Sequence, residues 1–412
     1  LGLIKPQVRD LIAKAADDVI AGRLDDQFVV DIYQTGSGTS TNMNANEVIA
    51  SRANELATGK RGGREPVHPN DDVNRGQSSN DAIPTAIHVS ALEAIEKELI
   101  PALTALHDAL DAKAREFDDI VKIGRTHLQD AVPVRLGQEF GGYAAQIDHA
   151  IARLKSVQPR LAQLAIGGTA VGTGLNTHPE FPDRMVAALA ALTGLKFLPA
   201  DNYFEALASR DAAVETSGAL KTVAVSLGKV ANDIRWLASG PRCGLGEISI
   251  PATQPGSSIM PGKVNPVICE SVLMVVARVI GNDATVTCGG LVGGTFELNV
   301  MKPVIAASLI ESIELLAGVS RVFLRKCVSG IVAERGRCEE LIERSLAMCT
   351  ALVPEIGYDR AAEIAKKAFA TGKTVREVAI ETSGLTKAQI DAMLDPRSQT
   401  ERGIPAGPVA GG

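Results

Sequence analysis

Aromatic side chains are scarce in this chain: Phe, Tyr and Trp together make up 3% of its 412 residues. Hydrophobic residues still reach 45%, so the core must come from Ala, Val, Leu and Ile. The length allows two or three domains. No apolar run of about 18 or more residues is present, the length a membrane-spanning helix needs, which argues against a span. The six cysteines, at 243, 269, 288, 327, 338 and 349, form no CxxC pair. That argues against zinc or an iron–sulfur cluster, and the scattered thiols read as reduced, in a reducing compartment. The formal charge of −6 and pI near 5.7 argue against nucleic acid, which wants a basic face. They leave room for a small anionic substrate, which answers to local charge. Internal repeats and βαβ alternation are also lacking.

What is present is helical periodicity. Leu and Ile recur at 92, 95, 99, 103, 106 and 110, the three–four spacing of one helix face, with Asn80 or Asp81 able to cap its start. A second run carries Phe140, Tyr143, Ile147, Ile151, Leu154 and Leu161, and Pro159 should bend or end it. A third, about 204–239, shows Val223, Leu227, Val230, Ile234 and Leu237. A fourth starts at Pro266 after Asn265 and runs to about 287. A fifth spans roughly 303–327. Five long helices predict an all-α protein with a central helix bundle over 76–334. Smaller, mainly helical domains flank it at 1–75 and 335–412, and the tail RGIPAGPVAGG is expected to be disordered. The helices carry apolar residues on more than one side. That fits burial by partner subunits, or else one large monomeric core.

The densest chemistry lies in GSSIMPGKVNP, residues 256–266. It gathers Ser257, Ser258, Lys263 and Asn265 around two glycines and two prolines. Glycine permits close approach and positive φ, so such a loop can aim several N–H groups and a lysine at one anion. The same composition fits a surface loop ahead of a helix. A phosphate-binding P-loop matches poorly, because Val264 stands where Ser or Thr should hold magnesium. GGTAVGTG (167–174) follows a helical run, which argues against a dinucleotide site.

This loop resembles the signature loop of the fumarase/aspartase superfamily. QTGSGTSTNMNANEVIA (34–50), VHPNDDVNRGQSSND (67–81), IGRTHLQDAVPVRLGQEF (123–140), AIGGTAVGTGLNTHPEF (165–181) and ANDIRWLASGPRCGLGEISIP (231–251) resemble class II fumarase segments, in the same order. Asp72 and the GPRCGLGEISIP run favour fumarase over aspartase. The resemblance implies a metal-free, cofactor-free enzyme of the tricarboxylic acid cycle that interconverts fumarate and (S)-malate. It also implies a homotetramer whose sites each draw on three chains. The family carries a further N-terminal segment ahead of Leu1. The expectation is therefore a truncated start and a cytoplasmic protein, or a mitochondrial one if a transit peptide preceded it.

The chemistry needs a base for a weakly acidic C–H, donors for a dianionic aci-carboxylate, and an acid for the departing hydroxyl. By resemblance, Ser257 is the base. Lys263 and loop N–H groups lower the cost of an alkoxide; the alternative is that Ser257 only hydrogen-bonds substrate. His127 is the acid/base partner, against the commoner structural histidine. Glu270 pairs with it and raises its basicity. Substrate carboxylates meet Ser37, Gly38 and Thr39 in a glycine loop, and Ser78, Ser79 and Asn80 at a helix start. Thr126, Ser258, Lys263, Val264 and Asn265 complete the set. His68, Pro69, Asn70 and Asp71 match the family's second dicarboxylate site. There Glu65-Pro66 replaces basic residues common in relatives, with Arg64 nearby, which weakens the expected anion binding. The rival readings are another superfamily lyase, such as an aspartate ammonia-lyase, and a non-catalytic helical homologue.

Overall fold

The computed structural model describes residues 1–403, so the expected disordered tail lies, from position 404 on, outside the described residues. Helices dominate. The first long run is a helix over Ser79–Ala94, a single π turn over Ile95–Leu99, and a helix over Ile100–Glu116. Leu92, Ile95, Leu99, Leu103, Leu106 and Leu110 are all buried, as their spacing predicts. The others are Leu136–Leu161, Asp211–Leu237, Val267–Gly293 and Lys302–Lys326. Pro159 sits inside the last turn of its helix, which ends at Leu161.

Three local expectations change. The cap of the first bundle helix is Ser78, not Asn80 or Asp81. Ser78 Oγ accepts from the Asn80 N–H at 3.2 Å, and Asp81 accepts from the Ser78 N–H at 2.9 Å, a capping box. The third run is split into Tyr203–Ala208 and Asp211–Leu237. Ser209 takes extended backbone angles, and its Oγ accepts from the Asp211 N–H at 3.2 Å, starting a new helix. Before residue 75, the Thr39–Thr58 helix is longer than the short helices expected there. Its polar sequence hides its periodicity, although Ala50 and Ala53 are buried.

Strand is confined, among the described residues, to four two-stranded sheets. The largest is an antiparallel hairpin of Val121–Thr126 with Gln129–Arg135. The sequence reading did not foresee it.

The chain divides into two compact units. One comprises Leu1–Ala102, Ala150–Val225 and Met274–Gly318. Within it, Val8, Ala15, Ala50, Ala53 and Val67 form a small cluster of their own. The other comprises Leu103–His149, Ser226–Leu273 and Val319–Gly412. Within it, Ile342, Met348, Leu352, Ile364, Val375, Val378, Ile390, Met393 and Leu394 form a second cluster. Three of the aromatics meet: Phe117 and Tyr143 each pack edge-on against Phe140, at 5.3 and 5.4 Å between ring centroids.

One helix, Lys302–Gly330, is long and apolar enough on average to cross a membrane, which a search for unbroken apolar runs passes over. Glu311 and Glu314 interrupt it, and Glu311 pairs with Arg278 at 2.8 Å. Ile305, Leu309, Ile313, Leu316 and Phe323 are fully buried, so it reads as a core helix.

Candidate active site

The glycine loop at 36–39 and the helix start at 78–80 come together in the first unit. Gly36 is forced by close approach: a Cβ there would lie 1.6 Å from the Val300 carbonyl oxygen. Gly38 has φ +79, and a Cβ would meet the Ile83 side chain at 2.9 Å. Ser37 Oγ and Thr39 Oγ1 share a hydrogen bond of 2.6 Å. Asn42, on the helix that Thr39 begins, donates to Ser79 Oγ at 2.9 Å. Asn80 donates through Nδ2 to the Ala170 carbonyl at 2.8 Å. Beneath this helix start lies Asp81, fully buried, with Oδ2 accepting from the N–H groups of Gly167 and Thr169 at 3.0 and 2.8 Å. Burial raises its pKa, and those backbone donors oppose the rise. The hydroxyls of Ser37, Thr39, Ser78 and Ser79 gather at this capped helix start, where the helix dipole favours negative charge.

Ser257 to Asn265 form a loop closed at its neck. The Gly256 N–H donates to the Lys263 carbonyl at 2.8 Å, and Asn265 Nδ2 donates to the Gly256 carbonyl at 2.8 Å. A Cβ on Gly256 would fall 2.5 Å from the Lys263 carbonyl oxygen, so only glycine closes this neck. Ser257 Oγ accepts from the N–H groups of Ile259 at 3.2 Å and Met260 at 3.0 Å. Two such donors favour negative charge on that oxygen. Serine also closes ordinary turns this way, and the two uses are compatible. Ser258, Lys263 and Val264 are exposed, and Asn265 is half-buried. Glu270 is exposed in the first turn of the helix that follows.

Thr126 and His127 sit at the tip of the hairpin, both exposed. His127 and Leu128 have φ of +56 and +60, the left-handed pair of a type I′ turn. Such φ values are uncommon for non-glycine residues and mark positions held by their surroundings. The hold comes from a buried ion network. Arg125 grips Glu247 with both Nη atoms, at 2.9 and 3.0 Å. Lys122 bonds Glu139 at 2.9 Å and approaches Glu247 at 3.4 Å. Lys122 and Glu247 are essentially unexposed. Burial raises the pKa of Glu139, which Lys122 opposes. No hydrogen bond joins His127 to Glu270 among the described residues.

Comparison with known proteins gives the family of the chain. The lyase family described as "Lyase" matches residues 1–281, and "Fumarase C C-terminus" matches residues 348–401. A Methylorubrum extorquens protein named fumarate hydratase class II is 56% identical over 97% of this chain and 84% of its own length. The chain belongs to the class II fumarate hydratase family. A Danio rerio relative named mitochondrial fumarate hydratase is 55% identical over 95% of this chain and 77% of its own length. The crystal structure of a class II fumarase from Schistosoma mansoni superposes with a TM-score of 0.94 at 44% identity, covering 97% of this chain and 86% of that one.

In this fumarate hydratase family member, the residues offered for the second dicarboxylate site form a tight turn. His68 Nδ1 accepts from the N–H groups of Asn70 and Asp71 at 3.2 and 3.1 Å, and Pro69 is buried between. Asp71, Arg64 and Glu65 are exposed. The sequence reading passed over Lys122, Arg125, Glu139 and Glu247, which hold the His127 turn. It also passed over Arg210 and Lys302, and took Asp81 only as a helix cap. A charged residue inside an apolar stretch was the available signal, since burial of a charge calls for a partner.

Proposed function

We propose that this chain is a fumarate hydratase, a hydro-lyase that reversibly hydrates fumarate to (S)-malate. In the dehydration direction Ser257 takes the C3 proton of malate, and the aci-carboxylate dianion forms. Lys263, Asn265 and the first-unit donors (Ser37–Thr39 and Ser78–Asn80) hold its oxygens, with Thr126 and Ser258. His127, supported by Glu270, protonates the departing hydroxyl. The observation that carries this reading is the pair of N–H donors on Ser257 Oγ inside a glycine-closed lysine loop. A serine base needs that arrangement, because its alkoxide is otherwise too costly. No step calls for a metal. His68–Asp71 form an accessory dicarboxylate site weakened by Glu65.

Four copies in dihedral symmetry complete the sites. Supporting this, Met274, Ile280, Leu291 and Val292 leave one long helix with an exposed apolar surface, Leu291 at 79% exposure. The separate clusters around Val8–Val67 and Ile342–Leu394 support the division into 1–75, 76–334 and 335–412. The enzyme serves the tricarboxylic acid cycle, in a bacterial cytoplasm or in mitochondria.

The test is loss of fumarate absorbance in water, with product identified, then with added ammonia and with EDTA. Malate should form, unaffected by either addition. Aspartate formed with ammonia and no malate overturns the reading. Activity lost to EDTA and restored by iron or magnesium overturns its metal independence.

A further inference from the structure

Lys302 is a buried lysine to which the hydration chemistry above gives no part. It is fully unexposed, at the first residue of the Lys302–Lys326 helix. Its Nζ donates to the Asn80 carbonyl at 3.0 Å. That carbonyl is open because of Pro84. In an unbroken helix the N–H of residue 84 would bond the carbonyl of residue 80, and proline has no N–H to give. The backbone N–H of Lys302 donates to the Gly36 carbonyl, also at 3.0 Å. One residue therefore ties together the glycine loop and the helix start that present the first-unit donors.

The charges around it do not balance. Burial pushes the Lys302 ammonium down to about 7, Arg210 pushes in the same direction, and Asp81 opposes. Arg210 is also buried, and its Nε and Nη1 have no hydrogen-bond partner. Glu205 and Asp211 act on Arg210 from exposed positions, where solvent screens them. Asp81 is the buried counter-charge, and its oxygens are engaged by Ser78, Gly167 and Thr169. Lys302 thus feels a second buried cation, Arg210, and one buried carboxylate, Asp81, beside a helix N-terminus whose dipole adds positive potential. An arriving substrate carboxylate supplies the missing negative charge.

We infer that Lys302 is a positioning residue for the substrate carboxylate, fixing the 36–39 and 78–80 segments against each other and lending them its positive charge. The inference rests on the fumarate hydratase reading.

The test uses the full chain and starts with the unmodified enzyme. If it does not hydrate fumarate, the functional reading fails and this inference falls with it. If it does, Lys302→Met decides. The variant should raise KM by about 10-fold or more, because both the tether on Asn80 and the positive charge behind the substrate donors are lost, and should lower kcat far less. Its thermal midpoint should fall, because the Asn80 carbonyl loses its donor, so KM is read well below that midpoint, where the variant is folded. In the unmodified enzyme KM should rise as pH climbs through about 7, since the neutral amine offers no charge. In Lys302→Met that rise should disappear. An unchanged KM, or the same pH dependence in both proteins, overturns the inference. Should the Met variant not fold, Lys302→Gln replaces it, keeping an N–H for the Asn80 carbonyl without the charge. A raised KM is again expected, and an unchanged one overturns the inference.

Discussion

A serine hydroxyl gives up its proton reluctantly, so the surroundings of Ser257 matter more than its identity. Its Oγ receives two backbone N–H groups, and Lys263 lies in the same closed loop. His127, proposed as the second proton-transfer group, sits on a turn with left-handed backbone. Ser257→Ala and His127→Asn should each lower kcat by about 10²–10⁴-fold, the usual cost of losing a proton-transfer group. The circular dichroism spectrum should not change, because neither side chain is part of the core. A Ser257→Ala enzyme with near-normal turnover would remove Ser257 as the base. Ser258→Ala should act more on KM than on kcat.

At the level of elements, the hairpin and its anchor show how position is held at a distance. Glu247 is fully buried, and Arg125 satisfies both its oxygens. Removing one partner of a buried pair strands the other charge, which costs about 3–5 kcal/mol. Arg125→Met should therefore destabilise the chain by roughly 3 kcal/mol, the low end, because Lys122 remains near Glu247. The same change should lower kcat by loosening the His127 turn. As a control, Arg335→Met removes an exposed pair with Asp119 and should shift stability by less than about 1 kcal/mol. Urea unfolding of the three proteins measures both effects. Equal midpoints for Arg125→Met and the parent chain would show that the buried pair does not hold the hairpin.

At the scale of the whole molecule, the candidate residues come from both compact units. Ser37–Thr39 and Ser78–Asn80 belong to one, Thr126–His127 and Ser257–Glu270 to the other. The proposed tetramer assembles each site from several chains, which makes a mixing experiment decisive. Co-refolded His127→Asn and Ser257→Ala chains should recover part of the activity, since some sites then receive both intact residues. Sedimentation should report four chains in the active species. An active monomer, or mixed chains that never complement, counts against shared sites.

Sequence alone determined the helical class and the buried faces. Leu92 through Leu110 follow a spacing set by the 3.6-residue repeat, which is local. It also carried the signature loop and its order among the other motifs, because those are runs of neighbouring residues. The hairpin escaped it. The Val121–Arg135 pattern places Lys122 and Arg125 among apolar residues, and only pairing with Glu139 and Glu247, distant in sequence, makes their burial tolerable. The break at Ser209 escaped for a similar reason, since a helical pattern runs across it. Lys302 is the clearest case. Its apolar neighbours hint at burial but do not say what the buried ammonium bonds. Its role is decided by a carbonyl over two hundred positions earlier, freed by Pro84, that only the folded chain brings within 3.0 Å.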